Sequence, residues 1–382
     1  MTRVVVALDS FKGSIGAADA AAALARGWRE VDPAVDVVLR PMADGGEGTL
    51  DAFATAVPGA RRMPMTVSGP HGLPVAAAWL LLPGEDGAGP TGVVELASTS
   101  GIELLGDERL PWDAGTAGFG QAIAAALDHG VNRLVLGIGS SASTDGGVGL
   151  LVALGAVVTD AAGSPVRPGA RGLADAAHVD LPGLRPPPAA GAVVLSDVTN
   201  PLLGPAGAAA VFGPQKGLAA DDVPLVDGAL AGFAARVAAA GVAVDVRTPG
   251  TGAAGGTGFA LAAWGAELQP GADVVAGLIG LDDALAGADL VVTGEGSFDG
   301  QSSAGKVPSL VAARAAAAGV PVALVAGRVA PDADTSGFAR VVSLTELAGD
   351  GASSFADPVR WLTHAGRVLA VPAPAGAGDP RR

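Results

Sequence analysis

The chain of 382 residues contains no cysteine and no tyrosine, and aromatics make up only 4% of it. Without cysteine there is no disulfide framework, no thiol nucleophile and no thiolate metal site. Histidine is scarce too: His71, His129, His178 and His364 show no metal-ligand spacing, and His129 ends an Ala-rich stretch where it suits a helix C-terminus better than catalysis. Lysine is rarer still, with three against twenty arginines. Positive charge is short overall, the net being −15, which argues against a nucleic-acid or anionic-membrane partner because either surface would be repelled. A small anionic substrate remains compatible, since local lysines and backbone N–H groups can overrule the global field. No uncharged run is long enough and free enough of Pro and Gly to span a membrane. Met1-Thr2-Arg3 leads straight into a short apolar strand, so no export signal is expected and the expected address is the cytoplasm.

What is present is Ala and Val, in a chain 49% hydrophobic. Such cores suit parallel sheets covered by Ala-rich helices. Continuous apolar runs predict strands at Val4–Leu8, Val35–Leu39, Arg133–Ile138, Ala192–Leu195, Asp289–Thr293, Val322–Ala326 and Val341–Leu344. Helices are expected at Ala17–Glu30, Gly48–Val57, Ala117–Asp128, Val148–Leu154, Ser309–Ala318 and Pro358–Leu369. Between Arg61 and Ala97 three extended runs separated by Gly/Pro turns predict an antiparallel patch, the entry into a second domain. The Pro/Gly/Ala tail from Pro372 has little to bury.

The three lysines each lie beside a glycine in a polar segment, at Lys12, Lys216 and Lys306, where a compact ammonium could reach a phosphate. Six loops concentrate glycine, hydroxyls and acids, most of them directly after a strand, where open α/β sheets bind ligands. In Asp9–Ser14, Ser10 and Lys12 are ligand candidates, with Ser10 or Ser14 alternatively an N-cap. In Ala43–Thr49, Gly45 and Gly46 could turn N–H groups onto an anion while Asp44 or Glu47 holds a hard cation or caps a helix. Gly137–Gly149, with Ser141, Asp145, Gly146 and Gly147, has the composition of a phosphate cradle at a helix N-terminus. Asp197 and Asn200 offer oxygens of the kind magnesium accepts, or an Asx turn before Pro201. Gly250–Gly258, with Gly255, permits close backbone approach and opens a helix near Phe259. Thr293–Lys306 supplies Glu295 and Asp299 as metal or base candidates. Its Gly300–Lys306 stretch matches part of a P-loop, but Val307 stands where that motif needs Ser or Thr, so a true P-loop is rejected and only Lys306 is kept as a phosphate contact. Glycine cradles, isolated lysines and acids, without Cys or a catalytic His pattern, describe phosphoryl transfer, which needs charge neutralisation and alignment more than covalent help.

The chain resembles the bacterial type I glycerate kinases from about Val4 to Thr363. The resemblance lies in Asp-Ser-Phe-Lys-Gly-Ser at 9–14, Ala-Asp-Gly-Gly-Glu-Gly-Thr at 43–49, Ser-Asp-Val-Thr-Asn-Pro-Leu-Leu-Gly-Pro at 196–205, Val-Phe-Gly-Pro-Gln-Lys-Gly at 211–217, and Thr-Gly-Glu-Gly-Ser-Phe-Asp at 293–299 with Gly305-Lys306. One loop departs from the family pattern, with Ser140 in place of a Gly, Ser143 of a Thr and Thr144 of an Asn. The resemblance implies two α/β domains. One is discontinuous (1–62 and 284–382) with a mainly parallel sheet; the other is inserted (63–283) with a mixed sheet. It implies ATP and Mg2+, with D-glycerate phosphorylated to 2-phosphoglycerate. Because the acceptor must sit between lysines far apart in sequence, an interdomain cleft that closes on ligand is expected, in a monomer or a homo-oligomer. Lys12 and Lys306 are then expected phosphate contacts, Asp44 or Asp197 the magnesium ligands, and Asp145, Glu295 and Asp299 the base candidates. Gly45, Gly46, Gly146, Gly147 and Gly255 would form the cradles, with Ser10, Glu47, Ser141, Asn200 and Lys216 as further substrate contacts. The rival readings are a kinase of the same architecture for another small hydroxy acid and a non-catalytic nucleotide sensor.

Overall fold

The structure, a computed structural model, describes residues 1–84, 89–299 and 307–371. The chain divides into two compact units, one formed by the residues up to Ala43 with those from Val275 onward, the other by Asp44–Val274. The expected boundary after Arg62 differs because the helix Thr49–Ala56 packs against strands of the second unit.

Strands β1 (Arg3–Leu8) and β2 (Asp36–Leu39) belong to the first unit. The second carries β3 (Arg61–Ser68), β4 (Pro74–Leu82), β5 (Thr91–Glu95), β6 (Arg133–Gly137), β7 (Val157–Thr159), β8 (His178–Asp180), β9 (Ala192–Leu195) and β10 (Glu267–Gln269). The chain then returns to the first with β11 (Leu290–Phe298), β12 (Val322–Val329) and β13 (Arg340–Ser343).

In the first unit β13-β12-β11-β1-β2 form one parallel sheet. Val4 to Leu8 are all fully buried, as a strand covered on both faces requires. The covering helices Ala17–Val31 and Pro358–Ala370 pack closely. A Cβ on Gly27 would come within 1.8 Å of the Thr363 carbonyl, and one on Gly366 within 2.1 Å of the Leu24 carbonyl, so these glycines set the helix separation. The described part of β11 runs on to Phe298, pairing Glu295 with Ala326 and Ser297 with Arg328. The apolar run alone predicts an end at Thr293, since Gly294 and Gly296 look like loop residues, but pairing with β12 keeps the strand extended.

The second unit has a mixed six-stranded sheet in the order β10-β9-β6-β5-β4-β3. Its β10, β9, β6 and β5 are parallel, while β4 and β3 add the expected antiparallel ribbon. Phe119, Ile123, Leu134, Leu136, Leu150, Phe233 and Phe259 form its core. The helix Val223–Ala239 supplies Leu230 and Phe233 to that core.

Candidate functional site

In the parallel part of the second unit's sheet, β9 and β6 end side by side, with Leu195 paired to Gly137. Beyond their carboxyl ends lies a cleft of about 200 Å³. Asp44, Gly46, Ser140, Ser141, Asp197, Gln215 and Lys216 contribute its polar lining, with Ile138, Leu195, Phe212 and Ala254 among the apolar residues. Four motif segments remote in sequence, at 43–49, 137–149, 196–205 and 211–217, thus converge on one cavity.

Lys216 is 2% exposed. Its amino group donates to Ser141 Oγ at 2.7 Å and to the Ser143 carbonyl at 2.5 Å. Burial pulls its pKa down to about 7, opposed by the charge of Asp145, because a cation far from water is destabilised relative to the neutral amine. Lys216 therefore changes charge near neutrality. Asp44 and Asp197 are exposed carboxylates lining the same cleft. Asp44 accepts from Gly46 N–H at 3.0 Å, and Asp197 from Gly271 N–H at 2.8 Å. Partial burial, followed by the negative charge of Asp44, raises the pKa of Asp197, while the Gly271 bond opposes the rise. Two carboxylates lining one cleft, each with oxygen lone pairs left over, fit a hard divalent cation that completes its shell with water and phosphate oxygens.

Two expected anion seats are filled by the chain itself. Asp145 is 1% exposed and accepts from Thr116 N–H (3.0 Å), Thr116 Oγ1 (2.7 Å), Gly147 N–H (3.1 Å) and Gly149 N–H (3.3 Å). Its carboxylate occupies the N-terminus of the helix Val148–Ala153, where a phosphate cradle was expected. Likewise Glu95, at the end of β5, accepts from Gly48 N–H at 2.8 Å and covers the start of the helix Thr49–Ala56. Burial, reinforced by Asp51 and Glu47, pushes the Glu95 carboxyl up to about 7 against the hydrogen bonds from Gly48 and Leu50. No motif marks Glu95. Its place at the carboxyl end of a parallel strand, level with Gly137, was the one available signal.

Several glycines read as cradles lie beneath the cleft rather than on it. A Cβ on Gly45 would meet the Leu195 carbonyl at 2.5 Å, and one on Gly147 would meet Ala260 Cβ at 2.4 Å. On Gly255 it would meet the Ser143 carbonyl at 2.1 Å and Lys216 Nζ at 3.0 Å. Gly146 has φ +63° and donates its N–H to the Gly255 carbonyl. These positions bring backbones together around Lys216 and the loop. Glu47 lines a separate cavity with Asp51, Glu95 and Arg62, and the Asn200 side chain donates to the Ala206 carbonyl at 2.8 Å.

In the first unit the segments 9–14 and 293–299 come together. Asp9 N–H donates to the Gly294 carbonyl at 2.8 Å, and a Cβ on Gly296 would stand 3.3 Å from Phe11 Cα and Lys12 N. Lys12 is exposed and Ser10 half-buried. Ser14 caps no helix: its hydroxyl donates to the Phe355 carbonyl, and Gly16 takes the N-cap of Ala17–Val31. Glu295 lies on β11 and Asp299 just after it. Lys306 lies outside the described residues. Among the described residues no cluster of three or more His, Cys, Asp or Glu is arranged to hold a metal, and no helix is long and apolar enough to cross a membrane.

The family model described as the glycerate kinase family matches residues 4–371. A glycerate kinase of Bacillus subtilis (strain 168) is 42% identical over 335 residues, covering 87% of this chain and 86% of the relative. A glycerate 2-kinase of Escherichia coli (strain K12) is 41% identical over 334 residues, covering 86% of each. A crystal structure from Salmonella typhimurium LT2, provisionally described as glycerate kinase 2, matches with a TM-score of 0.81 and 38% identity, covering 97% of both chains. The chain belongs to the glycerate kinase family and is a kinase.

Proposed function

We propose that the chain transfers the terminal phosphoryl group of ATP to a hydroxyl of D-glycerate, giving 2-phosphoglycerate and ADP. The bond from phosphorus to the acceptor oxygen forms, the bond to the bridging oxygen of ADP breaks, and the acceptor's proton is released. One observation carries the reading: Lys216 lines the same small cleft as Asp44 and Asp197. A volume of about 200 Å³ suits a three-carbon acid and falls short of the space a whole nucleotide fills. The relative called glycerate 2-kinase supports the choice of product.

Asp44 and Asp197 would hold magnesium, which when bound supplies charge neutralisation at the phosphate oxygens. Lys216 offers a switchable positive charge to the acceptor's carboxylate, held in place by Ser141 Oγ and the Ser143 carbonyl. Ile138, Leu195 and Phe212 supply the apolar part of the lining, against which the acid's carbon chain can rest. Asp145, with four donors on its two oxygens, holds the loop rather than receiving a proton. Within the first unit we propose Lys12 as a phosphate contact, with Glu295 and Asp299 as its acidic candidates. Lys12→Ala with unaltered turnover would remove the first of these.

The test is ADP release from ATP and magnesium with and without D-glycerate, with the product identified by NMR. Glycerate-dependent turnover to 2-phosphoglycerate is expected. Turnover only with another hydroxy acid would transfer the reading to that acid, and phosphorylation at the 3-hydroxyl would correct the product.

A further inference from the structure

Positive φ is the province of glycine, because an L side chain there crowds its own backbone. This chain has 59 glycines to spend. Among the described residues every position with positive φ is glycine except two, Ser140 (φ +57°) and Ala254 (φ +53°). Both line the cleft that holds Asp44, Asp197 and Lys216. Outliers of this kind persist only where the surroundings over-determine them, and they gather at ligand sites.

The surroundings do so here. The Ser140 carbonyl accepts from Ile102 N–H at 2.8 Å, Gly139 N–H donates to the Gly45 carbonyl at 2.9 Å, and Ala142 N–H donates to the Ser100 carbonyl at 3.1 Å. Ala254 opens a run of three left-handed residues with Gly255 (φ +66°) and Gly256 (φ +90°). That run is fixed by Thr257 Oγ1 on the Ala254 carbonyl (2.8 Å) and Gly146 N–H on the Gly255 carbonyl (3.0 Å). The side chains differ in what they offer. The next residue's hydroxyl, Ser141 Oγ, is taken by Lys216, whereas the half-buried Ser140 hydroxyl has no hydrogen-bond partner among the described residues. Ala254 offers only a methyl group, which takes up room.

We infer that Ser140 and Ala254 determine which acceptor acid the cleft takes, Ser140 by a hydrogen bond from its hydroxyl to an oxygen of the acid and Ala254 by limiting its length. The inference rests on the cleft being the acceptor site proposed above. Glycine at either position would relax the backbone and abolish the selection.

The test uses the full chain, with steady-state kinetics at saturating ATP and magnesium for D-glycerate and the four-carbon acid D-erythronate, and with thermal melting. Ser140→Gly is expected to melt a few degrees higher while KM for D-glycerate rises about tenfold, the loss of one hydrogen bond to a charged group, with kcat within twofold. Ser140→Ala keeps the strained backbone, so it should show the same rise in KM without the gain in melting temperature. Ala254→Gly should melt higher and raise the ratio of kcat/KM for D-erythronate over D-glycerate about fivefold. KM within twofold of the parent in both Ser140 variants, or an unchanged acid ratio in Ala254→Gly, would overturn the corresponding assignment. A parent inactive with D-glycerate but active with another acid defeats the functional reading alone, and the same ratios are then measured with that acid.

Discussion

If the acceptor acid binds beside Lys216 as proposed, binding should be a protonation event. With a pKa near 7, about 90% of the amino groups are neutral at pH 8 and about 10% at pH 6, from the titration relation that links charge to pKa. An acceptor carboxylate arriving in the cleft favours the charged form, so binding at pH 8 should draw in about 0.9 proton per site. At pH 6 it should draw in about 0.1, because the ammonium is already there. D-Glycerate suits the experiment since its own carboxyl does not titrate in this range. Calorimetric titrations in buffers of different ionisation enthalpy read the number directly, as the slope of observed heat against buffer enthalpy. Lys216→Met should abolish the slope at both pH values and weaken binding at pH 6 more than at pH 8. A buffer-independent heat at pH 8, with binding intact, would refute the argument: Lys216 would then be charged throughout or remote from the ligand. The same shift links to stability. The folded-state pKa lies below the usual 10.5, so the parent should gain stability as pH rises from about 7 toward 10.5, by at most about 5 kcal/mol. The Met variant should lose that gain.

Glu95 gives the opposite slope. Its folded-state pKa of about 7 lies above the ordinary 4.5, so the folded state binds a proton more tightly and stability falls as pH rises from about 4.5 through 7, by about 3 kcal/mol. Glu95→Gln keeps an acceptor for Gly48 N–H and should flatten this part of the curve in chemical denaturation between pH 4.5 and 8; an unaltered slope would exclude Glu95 as its source. Asp145→Ala leaves three buried donors and one part-buried donor without their acceptor and should cost about 3–5 kcal/mol, read as a large drop in melting temperature. A loss of turnover at undiminished stability would instead make Asp145 a participant in the chemistry.

The parallel strands were legible because burial on both faces leaves unbroken apolar runs, as at Val4–Leu8 and Ala192–Leu195. The helix Val223–Ala239 was not, since its apolar residues are spread around the axis and Gly228 and Gly232 weaken the local preference. β11 was cut short for a related reason: only its neighbour β12 keeps Gly294 and Gly296 extended. Of the residues lining the candidate cleft, Lys216 was visible as one of only three lysines, and Asp44 and Asp197 as acids in motif loops. The glycines themselves were ambiguous. Sequence cannot separate a glycine that faces a ligand from one such as Gly255 that lets two backbones touch. Glu95 was silent because its partner, Gly48, lies 47 residues away.

Glu95 and Asp145 take up backbone N–H groups at the openings of two helices, positions that could otherwise donate to an external anion. A covalently attached occupant cannot be displaced by dilution, nor outcompeted by the inorganic phosphate and sulfate of a living cell. The loops at 44–48 and 139–147 therefore hold one shape whatever the ambient anion concentration. A substrate bound there as proposed would meet a surface already set, rather than one that other anions have moulded first.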